Sequence, residues 1–194
     1  MRTILLSLLM SCSLLPARAD LFQYSVTLSA PAGVLSPGLG SGTVDYDSTA
    51  HTLALAVNFS GLVGTTTASH IHGPTAAPLT GTAGVATTTP SFALFPLGVS
   101  SGSFANTLDL TLASSYNPSY VTANGGTPAT AEAALAAAIA AGRTYWNIHS
   151  SFAGGGEISG FLRPIPEPGT LALAGLGAVG LAACAWNKRR AHKA

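Results

Sequence analysis

The chain is short of charge. Lys, Arg, Asp and Glu make up 8% of its 194 residues, about a third of the usual share for a soluble domain. Residues 20–165 hold two cations, Arg143 and Arg163, against Asp20, Asp45, Asp47, Asp109, Glu132 and Glu157, a net charge of −4. So sparse and acidic a region argues against nucleic acid, whose phosphates call for a basic face. Cysteine is scarce too. Cys12 and Cys184 are the two in the chain and lie towards its ends, so the region between them has no disulfide to staple it. Its stability must come from a buried core, which about 145 residues can supply. The same scarcity removes a cysteine nucleophile, and no serine stands beside a base in a recognisable catalytic motif.

The two ends are built differently from the middle. Met1-Arg2 leads into an apolar run, Ile4 to Leu15, and Ala17-Arg18-Ala19 puts small residues where a signal peptidase reads them. Residues 1–19 therefore read as a secretory signal peptide cleaved after Ala19. At the other end, Gly169 to Trp186 contains no charged residue. As a helix it would extend about 27 Å, close to the hydrocarbon thickness of a bilayer. Lys188-Arg189-Arg190 follow at once, a basic cluster that keeps its end of a transmembrane helix in the cytoplasm. Three segments result: 1–19, an exported domain over 20–165, and 166–194 as a membrane-directed tail.

Within the domain the dominant pattern has period two. Phe22, Tyr24, Val26 and Leu28 alternate with polar residues, as do Leu53, Leu55, Val57 and Phe59. Each is a strand with one buried face. Val44 and Tyr46, the turn at Asp47 to His51 and the strand through Phe59 make a hairpin, with His51 as a solvated residue at its tip. The glycines and prolines from Pro31 to Gly42 read as an open loop. Further strands are expected at Ala68 to His72, Thr107 to Leu112, Thr144 to His149 and Glu157 to Leu162. Residues 74–102 are expected to be loop with one or two short strands. One helix interrupts: Thr127 can cap it, Pro128 suits its first position, Ala131 to Ala141 carry it and Gly142 stops it. Its two large apolar residues, Leu135 and Ile139, bury little, which puts it at the domain's edge. The whole predicts an all-β fold, an antiparallel β-sandwich of immunoglobulin-like or Greek-key style with one short Ala-rich helix.

Three of the five histidines fall in two short runs, Ser69-His70-Ile71-His72-Gly73-Pro74 and Tyr145-Trp146-Asn147-Ile148-His149. Side chains two apart on a strand share a face. His70 and His72 therefore point the same way, opposite Ile71, and His149 points opposite Trp146 and Ile148. With the apolar residues in the core, all three histidines face out of the sandwich, and alternation on the last strand turns Glu157 outward as well. If these strands are neighbours, His70, His72, His149 and Glu157 form one polar cluster whose imidazoles suit zinc or copper equally. The bland alternative is that they hydrogen-bond loops and strand ends with no ion.

The central region resembles the CHRD domain, the module repeated in chordin and found alone in bacterial secreted proteins. The resemblance rests on Phe59-Ser60-Gly61-Leu62, Ala68 to Pro74, Gly142 to His149 and Gly155-Gly156-Glu157-Ile158-Ser159-Gly160-Phe161-Leu162. It implies an all-β extracellular module without a settled activity. The segment Ala30 to Pro37 departs by lacking an acidic, proline-rich stretch, so a partner-binding role does not transfer to it. The tail is similar to a PEP-CTERM sorting signal: Pro166-Glu167-Pro168, the apolar span, then Lys188-Arg189-Arg190. That likeness implies a Gram-negative bacterium and an exosortase-type transpeptidase cutting near Pro166 to Pro168. The prolines hold the chain extended just outside the membrane, where such an enzyme can reach it.

The expectation is an exported surface or matrix protein, transiently anchored in the membrane and processed by signal peptidase and an exosortase. Its first reading is a structural or interaction module that binds a surface protein or polysaccharide, without catalysis. The alternative is a copper- or zinc-binding secreted protein using His70, His72, His149 and Glu157, with redox or hydrolytic chemistry open to it.

Overall fold

The computed structural model describes residues 21–166. They form eight strands, β1 (Leu21–Ser29), β2 (Leu39–Asp47), β3 (Thr52–Ser60), β4 (Thr66–His72), β5 (Gly102–Asp109), β6 (Tyr145–Ser150), β7 (Ile158–Phe161) and β8 (Arg163–Pro164). Between β5 and β6 lie a 3₁₀ turn at Ala113–Ser115 and two helices, α1 (Pro118–Ala123) and α2 (Pro128–Ala140). Every strand pairing is antiparallel, in the order β4-β6-β7-β1-β2-β3-β5, with β8 also pairing β1. The all-β, sandwich-like expectation stands, built from one curled antiparallel sheet. Closure comes from the segment before β5, where Thr66 donates to the Val99 carbonyl at 2.8 Å and Leu62 to that of Ser100 at 3.1 Å.

The curl encloses the apolar faces that the alternation marked. Val26, Leu28, Val44, Leu53, Leu55 and Val57 are buried, as are Ile71, Trp146, Ile148, Ile158 and Leu162 further round the sheet. Phe92 and Phe95 close the seam, with Phe92 stacked on Phe104 and edge-on to Trp146. The indole N–H of buried Trp146 donates to Ser69 Oγ at 2.8 Å, so this buried donor is satisfied.

Two sequence expectations change. Of the glycines read as open loop, Gly40 and Gly42 lie in β2, which begins at Leu39. A Cβ on Gly42 would run into the Ala56 carbonyl oxygen and one on Gly40 into that of Asn58. These glycines let neighbouring backbone approach, so they belong in the strand. Residues 73–101 contain isolated bridges and no strand.

Helix α2 begins where Thr127 predicted, with its side chain accepting from Thr130 N in a capping box, and it ends before Gly142 at φ +65°. Its buried face carries Ala131, Leu135, Ala138 and Ile139, and also Glu132. That carboxylate accepts from Tyr46 OH at 3.0 Å and meets His51 Nδ1 at 2.9 Å. His51 is exposed at the hairpin tip, as the sequence suggested, and also links that tip to α2. The short helix α1, capped by Asn117, was not anticipated, since six residues are too few for a readable period.

Among the described residues no helix is long and apolar enough to cross a membrane. The signal peptide, Ala19, Glu167, Pro168, the apolar span and Lys188-Arg189-Arg190 lie outside them. Pro166 is the last described residue and is exposed, immediately after Ile165 donates to the Gln23 carbonyl at 2.8 Å.

Candidate metal centre

Strands β4 and β6 are neighbours, in a register that sets Ala68 opposite His149, His70 opposite Asn147 and His72 opposite Tyr145. Alternation sends Ser69, Ile71, Trp146 and Ile148 inward, where all four are fully buried. The three histidines take the other face together. Their ring centroids are 5.1 Å apart for His70 and His149, 5.5 Å for His72 and His149, and 5.7 Å for His70 and His72.

That face is not open, as the sequence suggested it would be. His70 is 5% and His72 7% exposed, while His149 is half-buried. The cover is the segment 83–92, tied along the edge of β4 by Ala86 N to the Ile71 carbonyl (2.9 Å) and Phe92 N to that of Ser69 (3.1 Å). It supplies hydrogen-bond acceptors as well as bulk. His70 Nε2 lies 2.6 Å from the Pro90 carbonyl and His72 Nδ1 2.9 Å from that of Ala83. His149 Nδ1 lies 2.9 Å from the Gly154 carbonyl, in the loop that follows β6.

These contacts decide the tautomers. A carbonyl only accepts, so the ring nitrogen facing it carries the proton. In the neutral rings the lone pairs then sit on His70 Nδ1, His72 Nε2 and His149 Nε2. His70 Nδ1 and His149 Nε2 face each other at 3.2 Å, and His72 Nε2 is buried with no hydrogen-bond partner. The donor atoms of the three residues lie within 4.8 Å of one another. Tetrahedral bonds of about 2.05 Å would hold three donors about 3.3 Å apart. Burial pushes the His70 ring down to about 4, helped by the charges of His149 and His72 and against the Pro90 hydrogen bond. Burial lowers His72 too, against its bond to Ala83. Both rings are neutral at pH 7, the form that ligates a metal.

Glu157 is not with them. It is fully buried and holds Ser36 Oγ at 2.5 Å, the backbone N–H groups of Val63 at 2.5 Å and Gly64 at 3.1 Å, and Ser150 Oγ. It precedes β7, next to Gly156 at φ +122°, so strand alternation does not govern its direction. Burial pushes its carboxyl up, but the four hydrogen bonds outweigh this and hold it below its ordinary value. It ties the β3–β4 loop and Ser36 to the end of β6.

The structure adds participants that no motif marks: the carbonyls of Ala83, Pro90 and Gly154, and Asn147. The Asn147 amide donates to the Gly155 carbonyl at 3.0 Å, one residue from the acceptor that orients His149. Tyr145 stacks on His72 at 5.0 Å and donates to the same Ala83 carbonyl at 3.2 Å.

Comparison with known proteins covers nearly the whole chain. Residues 164–190 match the PEP-CTERM protein-sorting motif. No curated protein and no solved structure matches. The sorting motif marks a protein that is exported, transiently anchored in the membrane, handled by an exosortase-type system, and delivered to the cell surface or outside. Residues 22–162, the curled sheet through β7 with its helices, match the CHRD domain, and the chain belongs to that family.

Proposed function

We propose that this exported domain holds a transition-metal ion, zinc or copper, through His70 Nδ1, His72 Nε2 and His149 Nε2. One observation carries the reading. A backbone carbonyl holds one N–H of each ring, and the three residues have ligating atoms within 4.8 Å of one another. Such outer partners fix ring orientation and tautomer in metal sites. Without a cation or a shared proton, the lone pairs of His70 and His149 oppose each other at 3.2 Å. Structural histidines that merely tie loops down would spend their second nitrogens on donors, and His72 Nε2 has none.

The test is elemental analysis of the full-length chain, purified in detergent, loaded with zinc or copper and dialysed. About one equivalent retained is the expected result, and none retained overturns the reading. A positioning effect follows as well. Asn147→Ala frees the loop that aims His149, and loss of an orienting partner of this kind costs about 10–100-fold in metal affinity. Titration against a chromophoric chelator measures it, with wild-type affinity as the contrary outcome.

A structural or interaction module is the second reading, and the outward face of β2, β3 and β5 favours it. Thr43, Ala56, Asn58, Ala105 and Thr107 make a shallow, polar surface there with Asp45 as its one charge, suited to a surface protein or polysaccharide. Envelope binding that persists after the metal is stripped would support this role.

A further inference from the structure

We propose that the ion at His70, His72 and His149 keeps one coordination position for a small anion from solvent, which makes it a reactive centre rather than a closed structural one. The inference rests on the metal reading above and concerns what completes the coordination.

Charge gives the first argument. The converging donors among the described residues are three imidazoles, neutral when they ligate, so a divalent ion would keep its full charge in a largely buried place. Closed structural zinc sites have four protein ligands, commonly with charged thiolates, whereas three protein ligands plus a solvent-derived one mark reactive sites. The carboxylate nearest in sequence, Glu157, is committed to Ser36, Ser150, Val63 and Gly64.

Two other polar groups share this face of β6. Tyr145 OH is bound at the Ala83 backbone. The Asn147 amide donates to the Gly155 carbonyl, and its Oδ1, buried without a hydrogen-bond partner, lies against Gly156. Access gives the last argument. His70 and His72 are covered, but His149 is half-buried and its neighbours Gly154, Gly155 and Pro90 are exposed. Solvent therefore reaches the site from the His149 side, and a small anion such as hydroxide or azide is the ligand it would bring.

Azide on the copper(II)-loaded full-length chain is the probe. The expected result is a new azide-to-copper charge-transfer band that saturates at one azide per copper, with a changed electron paramagnetic resonance spectrum. The His70→Ala/His72→Ala variant, treated alike, is expected to give no band. A loaded protein whose spectra ignore azide overturns the open position and leaves a closed site. A band of equal strength in the double variant overturns it too, by placing the anion on copper elsewhere. Failure to retain copper at all overturns the metal reading itself.

Discussion

The His70→Ala/His72→Ala double variant is expected to lose essentially all retained zinc or copper while keeping the fold. The two side chains stand on the outer face of β4, and the segment over them is also held by backbone bonds to Ile71 and Ser69. The inward residues of the same strand, Ser69 and Ile71, remain to pack and to satisfy Trp146. Removing an orienting partner costs about 10–100-fold in affinity, and removing a ligand costs more. Two such losses leave His149 alone, which cannot hold an ion against dialysis. Circular dichroism and elemental analysis on the same sample separate loss of metal from loss of structure. A folded variant that retains a full equivalent would show the ion to sit elsewhere. His149→Ala, with its half-buried ring, gives the same test with less disturbance of the cover.

Glu157→Gln is expected to act in the opposite way, lowering stability and leaving metal retention unchanged. The carboxylate accepts four hydrogen bonds, two of them from backbone N–H groups of Val63 and Gly64. A neutral amide weakens those bonds and brings donors where acceptors are needed. Hydrogen bonds to a charged group are worth about 1.5–3 kcal/mol each, and their partial loss should cost about 2–4 kcal/mol in all. For a domain of this size that is a fall in Tm of roughly 5–15 °C. The effect has a pH signature. Because the folded carboxyl is held below its ordinary value of 4.5, it contributes its full stabilisation above that value and loses it as pH falls through the lowered one. Wild-type stability should therefore drop on acidification below about pH 4.5, and the Gln variant should show a flatter profile over the same range. Denaturant melts at several pH values measure both. Equal stability at neutral pH, or a loss of metal, would return Glu157 to the ligand set that the sequence suggested.

The contrast between these residues shows how far the residue order reaches. His70 and His72 are two apart, and Asn147 and His149 are two apart, so each pair shares a face whatever the strands pair with. The inward set of Ile71, Trp146 and Ile148 follows from the same alternation, because a strand half-buried in a core leaves no other arrangement. Helix α2 was legible because its punctuation is local: Thr127, Pro128 and Gly142 do their work within a few residues of themselves. The sorting motif was legible for the same reason, being read as a linear segment.

Tertiary structure decided what depends on distant pairing. Setting β4 beside β6 joins segments almost eighty residues apart, and that register alone brings His149 Nε2 to 3.2 Å from His70 Nδ1. The cover over the site is irregular chain whose carbonyls at Ala83 and Pro90 carry no sequence mark, since every residue has one. Glu157 turned away because donors at Val63 and Gly64, more than ninety residues earlier, hold its buried carboxylate in place. His51 turned towards Glu132 across a similar span. Local order determined which side chains share a face and where the protein is sent. The fold determined which faces meet, because hydrogen-bond partners and ligand sets are matched in space, at separations that no local pattern records.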